Sequence, residues 1–135
     1  RARIVHRSAE LNLEDSSVLL QACHNGYKSI LGGQFHERKV VVKGSSVMIQ
    51  DIITGKFQSA IARFHLHPSL DVSLTGGELS VVGEKFKLNA DLSNETASLS
   101  ETTWHPEFGL AIENKVLEVE FKSQQIKIEF NWSKH

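Results

Sequence analysis

The segment Arg63-Phe64-His65-Leu66-His67-Pro68 places two histidines two residues apart, with an arginine at the same spacing before them. On a β-strand, alternate side chains point to the same side, so His65 and His67 would project together with Arg63 beside them. Zinc sites in β-sheets recruit two imidazoles in this way and take a third ligand from a neighbouring strand. Asp51 falls on the opposite face in the expected register. The sequence therefore favours structural or interface histidines and no metal, with a zinc site as the open alternative.

A second polar group, His36, Arg38 and Asp51, falls on one predicted hairpin. If the turn lies at residues 43–44, His36 pairs with Asp51, and all three residues share a face with valines and isoleucines. A buried arginine is tolerated only with a carboxylate partner within reach. An acid/base pair in a cleft is the functional alternative. The apolar neighbours favour a structural polar cluster.

Catalytic motifs give little further support for chemistry in this chain. Cys23 and His24 are adjacent and would point to opposite faces of a strand, and His24-Asn25-Gly26-Tyr27 is typical of a strand end and turn. Trp104, followed by His105-Pro106, has the ring to stack on a sugar, or else anchors a packed loop. Zinc-protease, phosphate-loop, nucleophile-elbow and Cys-x-x-Cys motifs are missing from the sequence. We predict no catalytic residue and no cofactor.

Length and charge exclude several classes of protein. The 135 residues carry 15 basic and 16 acidic side chains, for a formal net charge of −1. This length suits one domain over residues 1–135. No apolar run approaches the roughly 20 residues of a membrane span, and near-zero charge attracts no phosphate backbone, so neither membrane nor nucleic acid is an expected partner. The chain starts without Met or a signal peptide, which leads us to expect a C-terminal piece of a longer protein.

Hydrophobic alternation with a period of two predicts the elements that position these residues. It is clear at residues 85–92, 116–121 and 126–132. About ten to twelve such strands, separated by turn residues, predict an all-β fold, an antiparallel two-sheet β-sandwich. The strand around residues 60–66 is expected to pair with the preceding one, placing Ala62 opposite Ile49 and Ala60 opposite Asp51.

Six short motifs follow one another in a distinctive order. They are Arg1-Ala2-Arg3, His24-Asn25-Gly26-Tyr27, His36-Glu37-Arg38-Lys39-Val40, a stretch over residues 47–55 containing Asp51, Arg63-Phe64-His65-Leu66-His67-Pro68, and Trp104-His105-Pro106-Glu107-Phe108-Gly109. This succession resembles the C-terminal part of heparinase II/III-like proteins. The fifth motif, combined with the His-x-Arg hairpin, carries most of the resemblance.

The resemblance implies a bacterial polysaccharide lyase, periplasmic or secreted, in which an N-terminal α-helical toroid precedes the β-sandwich. Such enzymes cleave acidic, uronate-containing polysaccharides by β-elimination. In the family the catalytic base and its partners come largely from the toroid, and a His-rich metal and catalytic segment lies at the start of the sandwich. That segment has no counterpart here. The resemblance therefore implies structural support, and we expect the chain alone to be inactive.

A stand-alone carbohydrate-binding module is the alternative function. Its substrate-binding residues would be Tyr27, Arg63, His65, His67 and Trp104, because exposed aromatic rings stack on sugars and the polar row would bind their substituents.

Overall fold

The computed structural model describes residues 2–27 and 33–135, which form eleven antiparallel β-strands in two sheets and no helix. This confirms the all-β, two-sheet prediction. None of these residues lies in a helix that could cross a bilayer. The strands are β1 (Ile4–Asn12), β2 (Ser17–Tyr27), β3 (Gln34–Lys43), β4 (Ser46–Thr54), β5 (Ile61–His65), β6 (Asp71–Thr75), β7 (Glu78–Val82), β8 (Phe86–Asp91), β9 (Ala97–Trp104), β10 (Ile112–Glu120) and β11 (Gln125–Lys134).

The larger sheet contains eight strands, and β5, β9 and β10 form the smaller one. Contacts within the chain define two compact units. Unit 1 comprises residues 1–60 and 121–131, and unit 2 comprises residues 61–120 and 132–135.

In unit 1 the strands lie in the order β1, β2, β3, β4, β11. β11 shows the predicted alternation most clearly, because Ile126, Ile128 and Phe130 are buried while Lys127 and Glu129 are exposed. By contrast, most of β3 is half-buried on both faces. The polar residues of β3 therefore have neighbours on either side of the sheet.

The β3–β4 turn lies one residue later than the sequence predicts. Gly44, at φ 56°, and Ser45 are its central residues, and Lys43 pairs with Ser46. Glycine at the first central position suits a two-residue turn of the II′ type. The expected pairing of His36 with Asp51 is therefore wrong, and Arg38 takes that place. A shift of two residues in the partner leaves every side chain on its predicted face.

The predicted pairing of β4 with β5 is also wrong. β4 pairs with β11, placing Ile49 opposite Ile128, whereas β5 pairs with β10, placing Ala62 opposite Val119. The reason is burial, since β11 and β10 present apolar side chains at alternate positions. The short segment after β4 does not fold back as a hairpin, because it leads instead into the other sheet.

Unit 2 contains strands β8, β7 and β6 in one sheet and β5, β10 and β9 in the other. β10 is the middle strand of its sheet, and its Leu117 and Val119 side chains are fully buried. The buried apolar side chains of this unit are Ala62, Val72, Leu79, Val81, Ala90, Leu92, Val116, Leu117 and Val119. They form the apolar core of this unit.

Candidate functional site

Neighbouring strands of unit 1 bring the predicted polar cluster into direct contact. Asp51 on β4 is buried, with 1% of its side chain exposed. Its Oδ1 lies 2.7 Å from His36 Nε2 and 2.7 Å from Arg38 Nε, and its Oδ2 lies 2.8 Å from Arg38 Nη2. Arg38 thus binds the carboxylate through two nitrogens, the geometry that makes such pairs strong.

His24 on β2 is a fourth member of the cluster, which the sequence did not reveal. Its Nε2 lies 3.0 Å from His36 Nδ1, and the two rings meet edge to face. The sequence predicts that β2 ends near His24 in a turn, but the strand continues to Tyr27 with an irregular register. This places His24 directly opposite His36. In the sequence, the only signal for His24 was the regular spacing of polar residues along β2 and β3. The register in which these two strands pair was unknown.

The hydrogen bonds determine which ring nitrogens carry protons. The backbone N–H of Gly26 donates to His24 Nδ1 at 3.1 Å, so the neutral ring carries its proton on Nε2. That proton is donated to His36 Nδ1, and His36 then donates from Nε2 to Asp51. The result is a directed chain from the Gly26 amide to the Asp51 carboxylate. We call these four side chains, His24, His36, Arg38 and Asp51, the β2–β4 relay.

Electrostatics favour one charge state of the relay. Burial opposes ionisation of Asp51, but hydrogen bonds from His36 and Arg38 outweigh it and hold the carboxyl pKa below its ordinary value. Burial and the nearby His36 lower the pKa of His24. The relay therefore contains an Arg38–Asp51 ion pair, and the lowered pKa of His24 favours the neutral form of that ring. Because its donors and acceptors bind one another, the arrangement is suited to joining three strands rather than to transferring protons to a ligand.

Cys23 is not an activated thiol. Burial raises its pKa, and the negative charge of Glu37 on β3 raises it further. Since the thiolate is the reactive form, this environment disfavours a cysteine nucleophile.

The polar row on β5 is exposed, as the alternation of this strand predicts. Arg63 and His65 are exposed, whereas the alternating residues Ala62 and Phe64 are buried and half-buried. Arg63 Nε binds Glu118 Oε1 on β10 at 2.8 Å. Part of the row predicted to bind substrate is thus held in an ion pair with the neighbouring strand.

His67 lies just beyond β5 and contacts Trp104. Its Nδ1 lies 2.8 Å from Ser69 Oγ and accepts from the Ser69 amide at 3.2 Å. The His67 and Trp104 ring centroids are 5.1 Å apart, with their planes tilted by 56°. Among the predicted binding residues whose side chains the structure describes, His67 and Trp104 are in ring contact.

A cleft of about 200 Å³ opens beside His67. We call it the His67 cleft. Three charged side chains from β9 and β10 contribute to its wall, and the sequence did not identify them. It is lined by His67, Pro68, Leu70, Val72, Glu101, Glu113, Asn114 and Lys115.

Two further predictions concern the binding role of Tyr27 and the choice between no metal and a zinc site. The backbone of Tyr27 pairs with Gln34, but its side chain and residues 28–32 lie outside the described part of the chain. For metals, the described residues contain no group of three or more His, Cys, Asp or Glu side chains arranged to hold an ion.

Comparisons with known proteins agree with the family resemblance that the order of the motifs indicated. A family model described as heparinase II/III-like, C-terminal, matches residues 1–133. The chain is similar to a solved structure of heparan sulfate lyase HepC from Pedobacter heparinus, with TM-score 0.67 and 10% identity. It is also similar to a heparinase III gene product, with TM-score 0.69 and 10% identity. Each match covers 100% of this chain but only 22% of the solved chain. At these identities the likeness to solved structures establishes the fold. The curated proteins contain no match to the chain.

Proposed function

Because the chain belongs to the heparinase II/III-like, C-terminal family, we propose that it is the C-terminal β-sandwich of a polysaccharide lyase, which it supports structurally. The whole enzyme would cleave an acidic, uronate-containing polysaccharide by β-elimination, in the periplasm or outside the cell. An α-helical toroid would supply the catalytic groups. The observation that carries this proposal is the family match over residues 1–133, in a chain that spans 22% of the length of the two lyase structures.

The chemistry of β-elimination supports a structural role for this chain. A base must remove the proton beside the uronate carboxylate, and the electron pair then forms a double bond and expels the glycosidic oxygen. The reaction needs that base and a donor that neutralises the carboxylate, close together in a cleft. In the β2–β4 relay the carboxylate and both histidines are instead bound to one another. The relay is therefore suited to holding strands.

A contact surface for the rest of the enzyme is available in unit 1. β1 is an outer strand, and neither of its faces is buried. Its exposed apolar side chains include Ile4 and Leu11, which are 64% and 65% exposed, and Leu13 follows at 81%. Neighbouring exposed apolar side chains mark contact surfaces, and an outer strand offers unpaired backbone groups. We propose that the preceding part of the lyase covers this surface.

The activity is tested by comparing the full-length gene product with the 135-residue chain on uronate polysaccharides. Ultraviolet absorbance of the unsaturated product is the readout. We expect product from the full-length protein and none from the chain alone. Product from the chain alone would overturn the structural role. Failure of the folded full-length protein on every uronate polysaccharide would overturn the lyase assignment.

The contact surface is tested by expressing the chain and the remainder of the protein as separate polypeptides. We expect the two polypeptides to co-purify. The double variant Leu11→Glu/Leu13→Glu should weaken their association at least about tenfold, which corresponds to about 1.4 kcal/mol of binding free energy. Leu110→Glu, at a residue 39% exposed in unit 2, is the matched control. Equal effects of the two changes would show that β1 is not the contact.

A further inference from the structure

We propose that Asn25 and Gly26 form a self-modification site, in which the backbone nitrogen of Gly26 attacks the side-chain amide of Asn25 and His24 is the catalytic base. The product is a cyclic succinimide, which water opens to aspartate or isoaspartate. All three residues lie near the end of β2, in unit 1. The proposal goes beyond the structural role of the chain, because it gives the β2–β4 relay a chemical step on its own backbone.

The attacking nitrogen, that of Gly26, lies outside the regular hydrogen-bond ladder. The described β2–β3 register passes from His24 to Tyr27 and pairs neither Asn25 nor Gly26. Such an irregularity disrupts the ladder locally. The Gly26 N–H donates instead to a side chain, because it lies 3.1 Å from His24 Nδ1. The nitrogen is therefore within the distance at which a base can take its proton.

The other members of the relay prepare His24 to be this base. Its Nε2 lies 3.0 Å from His36 Nδ1, and His36 Nε2 lies 2.7 Å from Asp51 Oδ1. The neutral His24 ring thus keeps its proton on Nε2 and has the lone pair on Nδ1, facing Gly26. A base that contacts the nucleophile and is oriented by a further group is the arrangement used in nucleophilic catalysis. His36 and Asp51 are positioning residues, because they act through His24.

The Asn25 side chain is held by the segment that leads into β1. Its Oδ1 accepts from the Arg3 N–H at 2.9 Å, and the Asn25 N–H donates to the Arg3 carbonyl at 3.1 Å. The first of these bonds assigns the oxygen and the nitrogen of the side-chain amide. Negative charge develops on that oxygen when the Gly26 nitrogen attacks, and an N–H already in place stabilises it. The electrophile and its stabilising donor are therefore both present.

Close packing requires the glycine that makes this attack easy. A Cβ at Gly26 would lie 3.0 Å from His24 Nδ1 and 3.1 Å from Ala2 Cβ, which is closer than favourable nonbonded contact. The absence of a side chain also leaves the backbone nitrogen unhindered and the local backbone adaptable. Packing thus retains the residue after Asn25 that least obstructs ring closure.

The step balances with water as the only added reactant. The Gly26 nitrogen gives its proton to His24 and forms a bond to Asn25 Cγ. The bond between Cγ and the side-chain nitrogen then breaks, and this nitrogen leaves as ammonia with the proton that His24 returns. Water next adds to one of the two carbonyl carbons of the succinimide and gives aspartate or isoaspartate. Asn25 is half-buried, so water reaches the ring.

The reaction alters the relay that promotes it. The succinimide nitrogen carries no proton, so His24 Nδ1 loses the donor that determines its tautomer. Either acid then places a new negative charge at position 25, and isoaspartate also lengthens the backbone by one methylene group. We expect the NMR signals of the His24 and His36 rings to change as the modified chain accumulates.

The test is the rate of Asn25 conversion in the folded 135-residue chain, with the chain unfolded in guanidinium chloride as the reference. Peptide mapping by mass spectrometry measures the conversion at each asparagine. We expect Asn25 to convert at least about tenfold faster in the folded chain, because only that state has the base in place. Asn94 and Asn131, which precede Glu95 and Trp132, are internal controls and should remain unconverted. Equal or slower conversion of Asn25 in the folded chain would overturn the proposal.

Variants identify the base. His24→Leu should lower the rate in the folded chain at least about tenfold. His65→Leu, at an exposed histidine on β5, should leave the rate unchanged. Circular dichroism establishes that each variant is folded. An unchanged rate in folded His24→Leu would show that His24 is not the base.

A pH profile of the wild type tests the same assignment without any substitution. The residues opposite His24 are Ile4 on β1 and His36 on β3, and the Arg38–Asp51 pair lies beyond His36. With neutral His24 as the base, the rate in the folded chain should be nearly constant between about pH 7 and about pH 9, whereas cyclisation driven by hydroxide rises about tenfold per pH unit. A parallel rise in the folded and unfolded chains would overturn the proposal. The readout does not depend on lyase activity, so failure of this proposal is distinguishable from failure of the proposed function.

Discussion

Arg38 lies directly opposite Asp51 across the β3–β4 pair, and its Nε and Nη2 bind the two carboxylate oxygens at 2.7 and 2.8 Å. Cross-strand neighbours stabilise a sheet when their side chains interact. Here the interaction is a two-point ion pair whose acceptor is almost fully buried. Because His36 and His24 extend it to β2, one carboxylate fixes the relative positions of three strands.

Removing the charge of Asp51 should destabilise unit 1 strongly. Asp51→Asn keeps the shape but leaves the Arg38 guanidinium without its counter-charge. We expect the free energy of unfolding to fall by about 3 kcal/mol. This is the lower end of the range for breaking a buried ion pair, because the Arg38 side chain is 38% exposed. Urea unfolding measures it. Asp71→Asn removes the same charge at an exposed position on β6 and should change stability by less than about 0.5 kcal/mol. Similar losses in both variants would contradict the role of the relay.

Acid should remove the contribution of Asp51. Its carboxyl pKa is lowered in the folded chain, whereas an aspartate in the unfolded chain titrates near 3.9. The unfolded state therefore binds a proton first as the pH falls. The stabilisation is complete above the unfolded pKa and is lost as the pH falls through the folded one. The difference in unfolding free energy between the wild type and Asp51→Asn should accordingly shrink below about pH 4. A difference that stays constant down to pH 2 would contradict this assignment.

His24 should give a separate dependence at higher pH. Its pKa is lowered in the folded chain, so the unfolded state takes up a proton first when the pH falls below about 6.5. Stability is greatest above that pH and decreases as the pH falls towards the folded pKa. His24→Leu should flatten this slope. It should also cost about 1 kcal/mol at neutral pH, because Gly26 N–H and His36 Nδ1 lose their partner.

The control for that measurement is His65→Leu, at an exposed histidine on β5 outside the relay. Unfolding free energies from about pH 7 to pH 5 should keep the wild-type slope in His65→Leu. An unchanged slope in His24→Leu would show that another group causes the dependence.

The sequence predicted the faces of the strands better than their partners. The side-chain period of two places His36, Arg38 and Asp51 on one face, and that result does not change when the hairpin register shifts by two residues. For the same reason the polar cluster was predictable although the expected pair, His36 with Asp51, was not the one formed. Alternation along β11 was likewise visible in the sequence.

Long-range pairing was not predictable in this way. β4 takes β11 as its second neighbour, and Ile49 and Ile128 are far apart in sequence. The contact of Trp104 with His67 depends on β10 lying between β5 and β9. Alternation specifies which side chains share a face of one strand. It does not specify which strand pairs with which, because any strand with an apolar face could be the neighbour. His24 was missed for this reason as well, because its role depends on the β2–β3 register.

Two adjacent glycines in unit 2 allow a steric prediction. Gly76 and Gly77 form the β6–β7 turn between the paired residues Thr75 and Glu78, at φ 58° and 85°. Positive φ at both central residues is the I′ geometry that suits a two-residue hairpin. A Cβ at Gly77 would lie 2.6 Å from Ser93 Cα, whereas a Cβ at Gly76 would meet nothing within 4 Å. Both positions thus carry the same backbone constraint, and one also carries a clash.

Gly76→Ala should therefore cost about 1 kcal/mol, the penalty for a left-handed residue with a side chain. Gly77→Ala should cost at least about 1 kcal/mol more, because overfilling a packed position forces the backbone to move. The displaced backbone includes the Leu92 amide, which donates to the Gly77 carbonyl at 2.7 Å. Urea unfolding of the two variants and the wild type measures both costs. Equal losses in the two variants would mean that the segment around Ser93 moves without cost, and that the close approach of the β6–β7 turn to this segment does not constrain the fold.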